Sequence, residues 1–177
     1  MKDKKTISVV LVISFFCITF ALILSRCYSK TNRAPVGFID GIRFMMSPSD
    51  AERILGAPQN IEDRMDTFSD KQYKYQIVLK ETPADLYLVF HKDKELLSVS
   101  CRLHADTSAK ADSLFEWVLE RILSEYEHKK GFFCEELEKE SESQYKQKLG
   151  VRQGPGGIYW TISVDGLDVT VRGYDQE

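Results

Sequence analysis

An uncharged stretch of the chain, residues 7–24, constrains the rest of the molecule most strongly. It is largely apolar, Lys2, Lys4 and Lys5 precede it, and Arg26 follows it closely. A helix of 18 residues is about 27 Å long, close to the ~30 Å hydrocarbon core of a bilayer. The stretch therefore predicts a transmembrane signal anchor that follows a short basic tail, residues 1–6.

Two other interpretations of this stretch remain open. Cys27 and Ser29 could mark the site where a secretory signal is cut, and Cys27 could also carry a lipid. Arg26 disfavours both, because a basic residue stands where either processing reaction prefers small neutral ones. We expect an uncleaved, single-pass protein of a bacterial inner membrane, with its C-terminal part in the periplasm or outside the cell.

The remaining residues suffice for one domain. Polar residues with Pro and Gly at 25–37 predict a tether, and residues 38–177 then form the domain. After residue 33 the chain has 18 basic and 26 acidic residues, a formal charge of −8. This charge argues against nucleic-acid binding. It suits a soluble surface or a basic protein partner.

A short helix is predicted near the start of the domain. Ser47 is a suitable N-cap, Pro48 suits the first helical position, and Asp50 approximates a capping box. Gly56 ends the helix. Ala51, Ile54 and Leu55 would form its apolar side.

Alternating apolar residues predict a three-stranded antiparallel meander over residues 73–80, 86–90 and 97–103. Such a sheet buries one face and leaves the other polar. On the apolar face we place Leu97, Val99 and Cys101; on the polar face lies Tyr87.

A second helix is predicted over residues 108–128, capped by Thr107 or Ser108, because Phe115, Val118 and Ile122 are helically spaced. Residues 135–148 are rich in Glu, Lys, Ser and Gln, and are interpreted as a solvated helix or mobile segment that ends at Gly150. The glycine-rich residues 152–157 are interpreted as a flexible loop without phosphate-loop chemistry.

A hairpin closes the chain. Asp165-Gly166 is a preferred two-residue type I′ turn, and it predicts that Val164 pairs with Leu167, Ile162 with Val169, and Trp160 with Val171. These apolar side chains would share one buried face, which fixes the register.

No catalytic, cofactor-binding or metal-binding residue is predicted. His104 and Asp106 are close in sequence, but no nucleophile stands at a recognised spacing from them, and no cluster of His and Cys suggests a metal. Cys101 and Cys134 could form a disulfide or remain two thiols. The chain is not expected to be an enzyme.

Residues 41–58, GIRFMMSPSDAERILGAP, resemble the opening motif of BamE/SmpA/OmlA-like envelope proteins and of β-lactamase-inhibitor-like domains. The matching positions are Met46, Ser47, Ala51, Leu55, Gly56 and Pro58. The resemblance implies one or two short helices packed on an antiparallel sheet, and an activity that consists of binding other proteins. It transfers no site residue.

Together these patterns predict an α+β fold, in which an N-terminal transmembrane helix precedes two or three helices packed on an antiparallel sheet. The expected role is a membrane-anchored, extracytoplasmic module that binds another protein, for example as an inhibitor or immunity protein. The alternatives are an accessory protein of bacterial envelope assembly and an enzyme without a recognisable motif. Residues 7–24 would contact the membrane, and nucleic acid is not an expected partner.

Overall fold

Strands dominate the computed structural model, which describes residues 34–64, 70–92, 94–153 and 156–176. These residues are 53% strand. The strands are β1 Asn60–Asp63, β2 Asp70–Leu79, β3 Thr82–His91, β4 Glu95–His104, β5 Phe132–Cys134, β6 Glu138–Ser141, β7 Gln144–Gln153, β8 Gly156–Asp165 and β9 Asp168–Gln176. The helices are α1 Pro48–Leu55 and α2 Ser108–Tyr126.

All nine strands belong to one antiparallel sheet in the order β1-β2-β3-β4-β9-β8-β7-β5, with β6 paired to β7 beside β5. The expected meander is present as β2, β3 and β4. The strands that precede α2 in sequence, β1–β4, form one group in the sheet, and those that follow it, β5–β9, form another. The two groups meet where β4 pairs with β9. The α+β class predicted from the sequence is wrong, because the described part of the chain is mainly β with two helices.

The membrane prediction also needs correction. No helix in the described ranges is long and apolar enough to cross a membrane, which contradicts the expected single-pass membrane protein. The stretch that motivated this expectation, residues 7–24, lies outside the described residues.

Both helices begin where the sequence predicts. The Ser47 side chain accepts a hydrogen bond from the Asp50 N–H at 3.2 Å, and Gly56 ends α1 with a φ of +82°. Thr107 caps α2 in the same way. The apolar stripe of α2 packs on β8 and β9.

The core lies between one face of the sheet and the segment 34–46 with α2. Val36, Phe38 and Phe44 are almost completely buried, so residues 34–37, which the sequence assigned to the tether, pack with the domain. Phe38 and Phe44 contact the ring of Trp160, with centroid distances of 5.9 and 5.4 Å. Gly173 lies directly against that ring, because a Cβ there would be 2.0 Å from a ring carbon.

Residues 135–148 differ from the sequence prediction. They include all of β6 and the first half of β7, where they pair across the sheet. Lys146 and Lys148 contact Glu138 at 2.8 and 3.3 Å on one face, while Tyr145 and Gln147 point into the protein. The charged residues therefore form cross-strand pairs. They do not lie on the solvent-exposed surface of a helix, as the sequence predicted.

The final hairpin keeps its predicted buried face but has another register. Val164 pairs with Val169, and Asp165 pairs with Asp168, so the turn residues are Gly166 and Leu167. Gly166 has a φ of +62°, as the first central residue of a type II′ turn requires. Leu167, predicted to be buried, is 45% exposed.

A bulge changes one further assignment. Val89 pairs with Ser98 but Phe90 pairs with Leu96, so Leu97 is the extra residue. Leu96 therefore enters the core in the place that the alternating pattern gave to Leu97.

Candidate functional site

The face of the sheet opposite the core is covered by neither helix. We call this surface the open face and define it by eleven outward positions on the four central strands. They are Asp85, Tyr87, Ser98, Ser100, Arg102, Tyr159, Thr161, Ser163, Thr170, Arg172 and Tyr174. The set is rich in Tyr, Arg and small hydroxyl residues.

An aromatic row crosses one end of the open face. Tyr159 stacks on Tyr174 with a centroid distance of 5.3 Å and an interplanar angle of 17°. On its other side Tyr159 contacts Phe133 at 6.0 Å, across Gly150 of the intervening strand. Any side chain at Gly150 would meet the Phe133 ring, since a Cβ would lie 3.1 Å from a ring carbon. This glycine therefore lets the aromatic row continue across β7.

Two arginines occupy the middle of the open face. Arg102 on β4 and Arg172 on β9 are exposed and lie diagonally across the β4–β9 pairing, since Arg102 is opposite Thr170 and Arg172 is opposite Ser100. The small neighbours leave both guanidinium groups accessible. Among the described residues neither arginine has an ion-pair partner.

A charged network lies at the margin of the open face. Asp85 contacts Lys74 at 3.7 Å and His104 at 3.3 Å. His104 also contacts Asp168 at 2.9 Å through its other ring nitrogen. The hydrogen bond with Asp168, assisted by Asp85, raises the pKa of His104 above its usual value of 6.5. The hydrogen bond with Tyr87 is the main cause that raises the pKa of Lys74.

The arrangement around His104 does not resemble a catalytic site. Both ring nitrogens contact carboxylates, which favours the protonated imidazole and leaves neither nitrogen free to act as a base. Asp106, the partner considered from the sequence, lies beyond the end of β4 and contacts Thr107. No group of metal-ligating residues occurs within the described ranges.

The two cysteines of the domain are free thiols. Cys101 is buried in the core and Cys134 is exposed, which settles the alternative left open by the sequence. Burial raises the pKa of Cys101 to about 12, so this thiol is unreactive in the folded protein.

Comparison with known proteins gives no relative. No family model matches the chain, and no curated protein and no solved structure is detectably similar to it. The resemblance of residues 41–58 to envelope proteins therefore rests on those residues alone.

Sequence reasoning placed Tyr87 on the polar face but missed the aromatic row and the two arginines. Tyr159 and Tyr174 alternate with buried residues in the predicted hairpin, which was a usable signal. Phe133 gave no such signal, because its strand has only three residues and is too short to show an alternating pattern. The pairing of β4 with β9, which brings Arg102 and Arg172 together, is a contact between distant parts of the chain.

Proposed function

We propose that this chain is a protein-binding module and that the open face is its binding surface. The observation that carries the proposal is the composition of this face, where three tyrosines and two arginines surround small hydroxyl residues. Tyr and Arg are among the residues that most often dominate binding energy at protein interfaces. The serines and threonines between them leave room for side chains of a partner.

The rigidity of the surface supports the same proposal. Each of the four strands that form it is hydrogen-bonded on both sides, by neighbours in the order β2, β3, β4, β9, β8, β7. A surface held in this way loses little conformational entropy when a partner binds, so more of the contact energy appears as affinity.

The orientation of the rings favours a protein over a ligand that stacks on aromatic side chains. Because Tyr159 and Tyr174 lie nearly parallel at 5.3 Å, their facing sides cover each other. The outward edges and hydroxyl groups remain, and these suit hydrogen bonds and side-chain packing. An inhibitor of another protein and an accessory subunit of a larger assembly are the two versions of this role.

The test begins with photocrosslinking from the open face. A photoreactive amino acid replaces Tyr87 in one variant and Glu120, on the exposed side of α2, in a control variant. A partner that crosslinks from position 87 and not from position 120 is then purified, and its identity distinguishes an inhibited target from an assembly subunit.

Direct binding to the purified partner is measured by calorimetry with two matched variants. Tyr174 and Leu167 are both 45% exposed, but Leu167 lies in the β8–β9 turn. We expect Tyr174→Ala to weaken binding by about 30-fold, the effect of losing about 2 kcal/mol. Leu167→Ala should bind like the wild type. Equal affinities for all three proteins would exclude the open face as the binding surface.

A further inference from the structure

We infer that the partner presents an acidic segment to the open face, and that its carboxylates are bound by Arg102 and Arg172. This inference rests on the proposed protein-binding function and specifies the chemistry of the partner. It differs from the expectation drawn from composition, because an acidic domain would by itself suggest a basic partner.

The two arginines differ from the neighbouring basic residues in their surroundings. Lys146 and Lys148 are compensated by Glu138, with Nζ–Oε distances of 2.8 and 3.3 Å. Arg172, by contrast, has Ser100 and Thr161 as its cross-strand neighbours, so no carboxylate lies opposite it.

Arg102 is opposite Asp85 in the β3–β4 pairing, yet the two do not form an ion pair. Asp85 is held by Lys74 at 3.7 Å and by His104 at 3.3 Å. His104 is held in turn by Asp168. The marginal network therefore keeps the nearest carboxylate away from Arg102, and its guanidinium remains available to a ligand.

Carboxylates fit this arrangement well. A guanidinium donates two parallel hydrogen bonds to one carboxylate, and this pairing is stronger than a hydrogen bond between neutral groups. Residues diagonal to each other on adjacent strands are ~7–8 Å apart, so two acidic side chains of one partner segment can reach the two arginines. The hydroxyl groups of Ser100, Thr161 and Thr170 lie beside them as further donors.

Nucleic acid fits less well, although it also carries negative charge. Phosphate-backbone binding typically uses many cations, whereas residues 34–177, with the two arginines included, carry a formal charge of −8, from 18 basic and 26 acidic residues. That charge repels an extended polyanion. A short acidic protein segment can meet the arginines and avoid most of this repulsion.

The experiment measures fluorescence anisotropy of three labelled probes with the full chain. The probes are a Glu-rich peptide, a Gln-rich peptide of the same length, and single-stranded oligo(dT) of similar length. The variant R102Q/R172Q removes both charges and keeps the side-chain length. The control R53Q/K130Q removes two exposed charges from α1 and from the loop after α2. Thermal unfolding verifies that both variants fold.

We expect the Glu-rich peptide to bind more tightly than the Gln-rich peptide. R102Q/R172Q should lower its affinity by about tenfold or more, and the control should not. Affinity for the Glu-rich peptide that is unchanged in R102Q/R172Q overturns the inference. If oligo(dT) binds as tightly as the Glu-rich peptide, and through the same two arginines, the inference is wrong and nucleic acid is favoured as the ligand.

Binding measurements with the crosslinked partner distinguish failure of this inference from failure of the proposed function. If its affinity falls with Tyr174→Ala but is the same with R102Q/R172Q, the acidic-segment inference is wrong and protein binding stands. If neither variant changes the affinity for any partner, both the inference and the proposed function are wrong.

Discussion

The contact between Gly173 and Trp160 predicts that Gly173→Ala destabilises the protein, although alanine normally suits a strand better than glycine. The backbone of Gly173 is not in the left-handed region, so alanine meets no backbone strain there. Without the ring, the substitution would stabilise by about 0.4–1 kcal/mol through the unfolded state. The new Cβ would instead lie 2.0 Å from a carbon of Trp160.

The ring has little freedom to move away. Trp160 is 1% exposed, and it is enclosed by Phe38 and Phe44. Overpacking of such a core costs about 1–3 kcal/mol. The upper part of this range, about 2.5–3 kcal/mol, less the unfolded-state gain of about 0.4–1 kcal/mol, gives an expected net loss of about 1.5–2.5 kcal/mol. Denaturant unfolding of the wild type and of Gly173→Ala, fitted with one common dependence of free energy on denaturant concentration, measures this loss.

A double-mutant cycle identifies the ring as the cause. In a Trp160→Leu background the clash is absent, so Gly173→Ala should become neutral or stabilising. Thr170→Ala, on the same strand but on the open face, should change stability by less than about 0.5 kcal/mol. A Gly173→Ala protein as stable as the wild type, or an equal loss in both backgrounds, would refute the argument.

Four further predictions concern individual side chains. The Tyr75 hydroxyl is buried without a hydrogen-bond partner among the described residues, so Tyr75→Phe should leave thermal stability equal or higher. Tyr126→Phe should lower it by about 1 kcal/mol, because the Tyr126 hydroxyl donates to a backbone carbonyl. The pKa of His104 is raised in the folded state. Its contribution to the free energy of unfolding is therefore complete below pH 6.5 and is lost as the pH rises through the folded pKa. His104→Gln should flatten that part of the curve of unfolding free energy against pH, measured by urea unfolding. Peptide mapping after brief alkylation should find Cys134 modified and Cys101 protected until the protein unfolds.

The sequence predicted best what is encoded locally. Each cap of α1 bonds to a residue only three or four positions away, Ser47 to Asp50 and Gly56 to Glu52, so these local residues were sufficient. The β2–β4 meander also follows from the alternation of neighbouring residues. The buried face of the β8–β9 hairpin was correct even though the turn was displaced by one residue. That displacement changes the pairing by two positions and preserves the face.

Errors occurred where a distant partner decides the structure. Residues 135–148 have a composition that suits a solvated helix, and only the pairing of Lys146 with Glu138 and of Gln147 with Ile162 makes them strands. The bulge at Leu97 likewise depends on how β3 and β4 align. The candidate site is the extreme case, since the open face is assembled from both halves of the chain.

The β4–β9 pairing also has a consequence for how the chain reaches its native state. Most other strand pairs join neighbours in sequence, whereas His104 and Asp168 are 64 residues apart. Loop closure becomes more expensive by about 0.6 kcal/mol for each doubling of length, so joining β4 to β9 costs about 3 kcal/mol more than closing a two-residue hairpin. We therefore expect each half to organise early and the joining of the halves to limit the folding rate. Since Arg102 and Arg172 lie on opposite sides of that junction, the proposed binding surface is complete only after the two halves join, and we expect a chain with separate halves not to bind the partner.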